Sequence, residues 1–248
     1  MPVSAPGFGD PEDNFAMFSS VLKVIGLGQE RLEALLNETL GEKVFYQLNE
    51  VGLEYHILLS CAEKEAAEGE FDCLEAGLIN RLGDYFFGQE GDTIEEVTGN
   101  LLKEKGLTLA VAESLTGGLI ADRITDVAGA SAYFMTGAVV YSNESKTDLL
   151  GVPASVIREK GAVSPEVASL MAQGVRERGK TDLGLAVTGT AGPAGGTPLK
   201  PVGTVYFSLA TSCGNQVEGK LFSGQRRTIK LASSTYALDM VRRLLKAG

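Results

Sequence analysis

Apolar residues recur along this chain with two periods, and the switching between them predicts the order of elements. Residues 29–40 carry Leu32, Leu35, Leu36 and Leu40 at the spacing that lines one face of a helix. Around that helix the apolar positions crowd into short runs: residues 18–28 (FSSVLKVIGLG), 42–50 (EKVFYQLNE) and 53–61 (LEYHILLSC), the last two separated by Val51-Gly52. These runs read as strands. Residues 63–82 read as an acidic helix, 84–92 (DYFFGQEGD) as a linker, and 1–17 as a disordered leader. The sum is a strand-helix-strand-strand-helix unit over 18–88, the size of a small α+β domain.

From residue 93 helices and strands alternate. Thr93, with Glu96 three residues later, opens a helix that Gly106 closes. An apolar strand (107–113) precedes a helix over 116–127. A strand over 132–142 leads into a short helix over 143–150. Ser164-Pro165-Glu166 begins another helix. The strand over 182–190 runs into a glycine-rich loop, followed by strands over 201–211 and 216–224 and an amphipathic helix over 226–246. This alternation predicts a three-layer α/β/α domain over 89–248, with an antiparallel strand pair near its end.

Charge separates the two parts. The net charge is -10, but residues 1–100 hold 5 Lys+Arg against 20 Asp+Glu (net -15), and residues 101–248 hold 17 against 12 (net +5). The overall sign argues against a nucleic-acid binder. The second part can accept a small anion. No apolar run is long enough to span a bilayer, so no membrane partner is expected. Three scattered cysteines (Cys61, Cys73, Cys213) provide neither a disulfide framework nor a CxxC metal site, which suggests a reduced, cytoplasmic protein. The one histidine, His56, lies in the acidic part. A Ser-His-Asp triad or a His-ligated metal within 101–248 is therefore impossible, and no metal or cofactor is expected there.

Three segments at predicted strand ends could carry chemistry, where open α/β sheets place their ligands. The first is Glu113-Ser114-Leu115-Thr116-Gly117-Gly118, a turn whose backbone amides could bind an anion or a developing oxyanion beside a serine hydroxyl. Read plainly, Ser114 and Thr116 only cap a helix. The second is Tyr141-Ser142-Asn143-Glu144-Ser145-Lys146. A lysine titrates near ~10.4, but burial could lower it enough to activate a serine; read plainly, this is a solvated helix start. The third is 188–197, with Thr188, Gly189, Thr190, Gly192, Gly195 and Gly196. It is neither a Walker A loop nor a Rossmann fingerprint, and its glycines allow close backbone approach to a phosphate or sugar.

In order and spacing, LAVAESLTGGLIADRIT, AYFMTGAVVYSNESKTDLLGV, GAVSPEVA and LAVTGTAGPAGGTPLKPVGTVYFSLAT resemble the C-terminal domain of the CinA family over roughly residues 93–245. The region from Leu22 to Asp84 resembles the KH-like middle domain of the long CinA proteins, whose molybdopterin-binding-like domain has no counterpart here. The resemblance implies conversion of nicotinamide mononucleotide and water to nicotinic acid mononucleotide and ammonia, in pyridine-nucleotide recycling. It implies Ser114 as nucleophile, Lys146 or Tyr141 as base, and amides near Thr116, Gly117 and Gly118 as the oxyanion hole. Glu113, Asn143 and the glycine loop would bind the substrate, and Arg226, in a matching FSGQR segment, its phosphate. Two positions depart from the family pattern. Leu115 replaces a cysteine, which excludes a cysteine nucleophile there, and Ala194 replaces an aspartate in the loop. The second departure keeps open a catalytically weak nucleotide-binding or regulatory module. The acidic N-terminal part lacks the basic setting of an RNA-binding KH module and reads as a packing or self-association unit, giving a homodimer or higher homo-oligomer.

Overall fold

A computed structural model describes residues 17–40, 44–62 and 68–247. The chain divides into two compact units, Met1–Glu90 and Gly91–Gly248. In the first, the described elements are β1 (Met17–Ile25), α1 (Gln29–Leu40), β2 (Phe45–Val51), β3 (Glu54–Ala62), α2 (Glu68–Leu82) and β4 (Phe86–Gln89). Its strands form one antiparallel sheet in the order β2-β3-β1-β4, the split β-α-β arrangement. Leu32, Leu36 and Leu40 of α1 pack with Leu78 and Leu82 of α2 on Leu22 and Val24 of β1. The leader expected over 1–17 lies outside the described residues except for Met17, which opens β1. Residues 63–67 of the expected acidic helix also lie outside them. The stretch expected to be a linker is corrected: it contains β4, which pairs with β1 through Leu22↔Gln89 and Lys23↔Gly88.

The second unit comprises α3 (Ile94–Lys105), β5 (Leu109–Glu113), α4 (Leu119–Asp126), β6 (Phe134–Val139), α5 (Asn143–Leu150), α6 (Ala154–Lys160), α7 (Pro165–Gly179), β7 (Leu183–Gly189), β8 (Thr204–Thr211), β9 (Gly214–Leu221) and α8 (Arg226–Ala247). The sheet runs β6-β5-β7-β8-β9, parallel through its first three strands and antiparallel thereafter. One face carries α7, with α5 and α6 packed on it. The other carries α8 and α4, with α3 packed against both. This is the expected three-layer α/β/α domain.

Side-chain size explains the close layer. Ala110, Ala112, Ala186 and Ala210 share a buried cluster with Val167, Met171 and Val175 of α7. At Gly184 an added Cβ would lie 2.3 Å from the Ala172 carbonyl oxygen of α7, so only glycine fits under the helix. On the other face the alternate positions Val111, Leu185, Val187 and Phe207 are fully buried.

Two element readings change. Residues 154–160, left unassigned by sequence, form α6. The closing helix is not simply amphipathic: residues 232–242 are buried on every side, including Ser233, Ser234, Thr235, Asp239 and Arg242. Its polar groups are satisfied within the helix or by Arg123 of α4, whose Nη1 donates to Ser234 Oγ (2.8 Å) and Thr235 Oγ1 (2.9 Å). Ser233 donates to the Ile229 carbonyl, Ser234 to Leu231, and the Arg242 guanidinium pairs with Asp239 at 2.7 Å. No helix among the described residues is long and apolar enough to cross a membrane.

After β5 the chain adds β6 on one flank, then crosses the opposite face to place β7 on the other. The carboxyl end of β5 is thus a topological switch point, where the loops part to leave a crevice.

Candidate active site

The crevice is built on the turn after β5. Glu113, 1% exposed, turns its carboxylate back onto its own loop and accepts N–H bonds from Gly118 (2.9 Å), Ile120 (3.2 Å) and Ala121 (2.8 Å). An acceptor carboxylate at a helix start satisfies the orphan amides and is favoured by the helix dipole. Gly117 and Gly118 adopt positive φ (64° and 97°), which lets the chain reverse into α4. Two expectations are corrected here. Glu113 is occupied in holding the loop and does not reach the cavity, and the Gly118 amide is already bonded to it. The helix expected from residue 116 starts at Leu119 because residues 115–118 form this turn. Thr116 is completely buried and its hydroxyl lies away from the cavity, without a hydrogen-bond partner among the described residues.

Ser114 follows directly, anchored by its N–H to the Val187 carbonyl of β7 (3.0 Å) and 8% exposed. Across the crevice, Ser142 caps α5 by accepting the Ser145 N–H (3.0 Å). One turn into α5, Lys146 points back under the loop, 1% exposed. Its Nζ lies 3.3 Å from Ser114 Oγ and donates to the carbonyl of Val140 (2.8 Å), with those of Tyr141 and Ser142 at 3.4 Å. Burial pushes the lysine below its usual value, and the Glu144 charge opposes this in part. Once neutral, the amine has two N–H donors and one lone pair. The carbonyls can only accept, so the lone pair is left for the one hydroxyl in reach, Ser114.

Tyr141 does not share this position. Its ring is 62% exposed, and its hydroxyl accepts from Arg226 Nη2 (3.1 Å) rather than approaching Ser114. Arg226 Nη1 donates to the Gly192 carbonyl at 2.8 Å, so this arginine ties the β6–α5 loop to the glycine loop. Of the two candidate bases, the geometry gives contact with the serine to Lys146.

The resulting cavity is about 220 Å³. Ser114, Tyr141, Asn143 and Lys146 form one side and Thr188, Gly189, Thr190, Gly192 and Gly195 the other, with Arg226 at the rim. Thr188 is nearly buried, and its hydroxyl donates to the Ala162 carbonyl (2.9 Å), so it positions a neighbouring loop. Gly117 and Gly196 do not line the cavity. A Cβ at Gly196 would meet the Val202 amide at 2.8 Å, which makes it a packing glycine within the loop. Ala162 and Val163, which sequence reasoning did not single out, complete the wall. Lys200 holds them by donating to the carbonyls of Val163 (2.6 Å) and Lys160 (3.0 Å). The only sequence signal for that wall was the GAVSPEVA block, which reads as nothing more than a helix start.

A three-layer α/β domain that buries a lysine amine against a serine hydroxyl at the switch point of its sheet defines the class. Comparison with known proteins identifies the family. Residues 91–245 match the model of the CinA C-terminal domain, and the chain belongs to the CinA family. A CinA-like protein of Geotalea daltonii is 45% identical over 233 residues, covering 92% of this chain and 56% of the relative. One of Geobacter sulfurreducens is 52% identical over 187 residues, 74% of this chain and 44% of the relative. The chain thus spans about half the length of such relatives. Among solved structures, the competence/damage inducible protein CihA of Agrobacterium tumefaciens aligns with a TM-score of 0.57 at 36% identity, over 62% of this chain and 97% of its own. A CinA superfamily protein of Escherichia coli aligns with a TM-score of 0.59 at 31% identity, over 66% and 98%.

Proposed function

We propose that this chain is a nicotinamide-nucleotide amidohydrolase, converting nicotinamide mononucleotide and water to nicotinic acid mononucleotide and ammonia. The observation that carries the reading is the 3.3 Å contact between Ser114 Oγ and the buried Lys146 amine. Ser114 attacks the carboxamide carbon while neutral Lys146 takes its proton. In this reading the negative charge that develops on the carboxamide oxygen is met by backbone N–H groups of the turn that begins with Ser114 and Leu115, the two residues of the turn that line the cavity. The lysine ammonium then returns the proton to the departing nitrogen, which leaves as ammonia. Water, deprotonated by the same amine, cleaves the resulting ester and restores the serine. Each proton that enters the cycle leaves it, so the base is regenerated without a second titrating side chain.

A second reading rests on Ala194, which lines the cavity where the family pattern has a carboxylate: the pocket binds the nucleotide and turns it over weakly. One assay separates the two readings. Ammonia release from the mononucleotide is expected from the wild type and absent from Ser114→Ala, whose unfolding midpoint should match the wild type. Binding without release by the wild-type protein would instead favour the second reading and make Ala194→Asp the informative variant.

A further inference from the structure

A second concavity of about 720 Å³ adjoins the catalytic cavity. The two share Ala191 and Arg226. Much of its lining is apolar, with Ala191, Pro193 and Val202, but three cationic residues, Arg226, Arg227 and Lys230, border it from the first turns of α8. Among the described residues, the side chains of Arg227 and Lys230 make no ion pair and no hydrogen bond, although the chain as a whole carries a net charge of -10. Three neighbouring like charges repel, and a carboxylate nearby would be the simple remedy. Leaving them uncompensated around a cavity creates a positive potential directed into it. Lys230 also links this cavity to the catalytic loop, because its Nζ lies 3.6 Å from the position a Cβ would take on Gly117.

Resting on the reaction proposed above, we infer that this second concavity is the anion subsite of the substrate, with Arg227 and Lys230 binding the phosphate of a nucleotide whose amide end lies at Ser114. Arg226, already bonded to Tyr141 and Gly192, forms the waist between the two cavities. The ligand class is therefore a ribose 5-phosphate ester, and the cationic cavity selects it over the unphosphorylated nucleoside.

The test uses the full chain with Arg227→Gln, Lys230→Gln and Lys230→Glu, and two readouts. Calorimetric titration with ribose 5-phosphate measures the subsite without any chemistry. Loss of one charge-assisted hydrogen bond should weaken binding roughly 10- to 100-fold in each Gln variant, and more in Lys230→Glu. Steady-state kinetics with nicotinamide mononucleotide should show a KM increase of similar size with kcat little changed. Ribose 5-phosphate binding that is absent in the wild type, or unchanged in all three variants, overturns the subsite even if ammonia is released. Binding that depends on Arg227 and Lys230 in a protein that releases no ammonia keeps the subsite and refutes the proposed reaction.

Discussion

Lys146 shows how burial changes a side chain's protonation. Its ammonium would be a poor base in water, but in the second unit it is 1% exposed beneath the Ser114 loop, and desolvation lowers its pKa. In the proposed reaction the neutral amine is the active form. The kcat/KM of amide hydrolysis should therefore rise with pH through a pKa below that of ordinary lysine and level off above it. Lys146→Arg keeps the cation but cannot deprotonate; it should lower kcat by roughly 10²- to 10⁴-fold and abolish that ascending limb. An unchanged pH profile in the variant would remove Lys146 from the role of base. The sequence contained Ser114 and Lys146 as candidates, because both follow strand ends. It left Tyr141 equal to Lys146, because only side-chain direction separates them: the phenol turns out to Arg226 and the amine turns in. Glu113 also looked like a ligand residue, since a strand-end carboxylate appears identical in sequence whether it faces a ligand or its own helix start.

Elements with strong local signals formed as expected, and the exceptions have physical reasons. The helix after Thr93 has its cap and its glycine stop: Thr93 accepts the Glu96 N–H, and Gly106 takes φ 63°. By contrast, β4 has four residues between acidic and glycine-rich flanks, and its partner β1 lies more than sixty positions earlier. No local pattern could have shown that pairing. The polar residues of α8 suggested a solvated face, but they bond to their own helix or to Arg123 of α4, while the sheet, α3 and α4 enclose the helix. Packing between elements also reverses a simple propensity argument at Gly174. Alanine there would gain about 1 kcal/mol of helix propensity, yet its Cβ would lie 2.1 Å from the Leu150 carbonyl oxygen at the end of α5. Backbone on both sides leaves little room to yield, so overpacking of about 1–3 kcal/mol should win. Thermal unfolding of Gly174→Ala should show a lower midpoint; a raised one would mean that α5 and α7 separate easily.

Across the chain, the two units carry different charge, and every residue of the candidate site belongs to Gly91–Gly248. The solved relatives from A. tumefaciens and E. coli align over 97% and 98% of their own lengths on about two thirds of this chain, so a unit of this kind exists alone. A fragment of residues 91–248 should unfold cooperatively and keep the kcat/KM of the full chain within roughly a factor of three. A fragment that folds but is inactive would assign the first unit a part in the reaction. The α/β alternation, the charge asymmetry and the strand-end motifs were legible from residue order, because periodicity and capping act between neighbours a few positions apart. The Ser114–Lys146 contact, the occupation of Glu113 and Arg226, and the cationic cavity beside the site were not. Each depends on which way a side chain points after strands far apart in sequence are brought together. That direction follows from burial and hydrogen-bond satisfaction in the folded domain, which no stretch of the chain specifies alone.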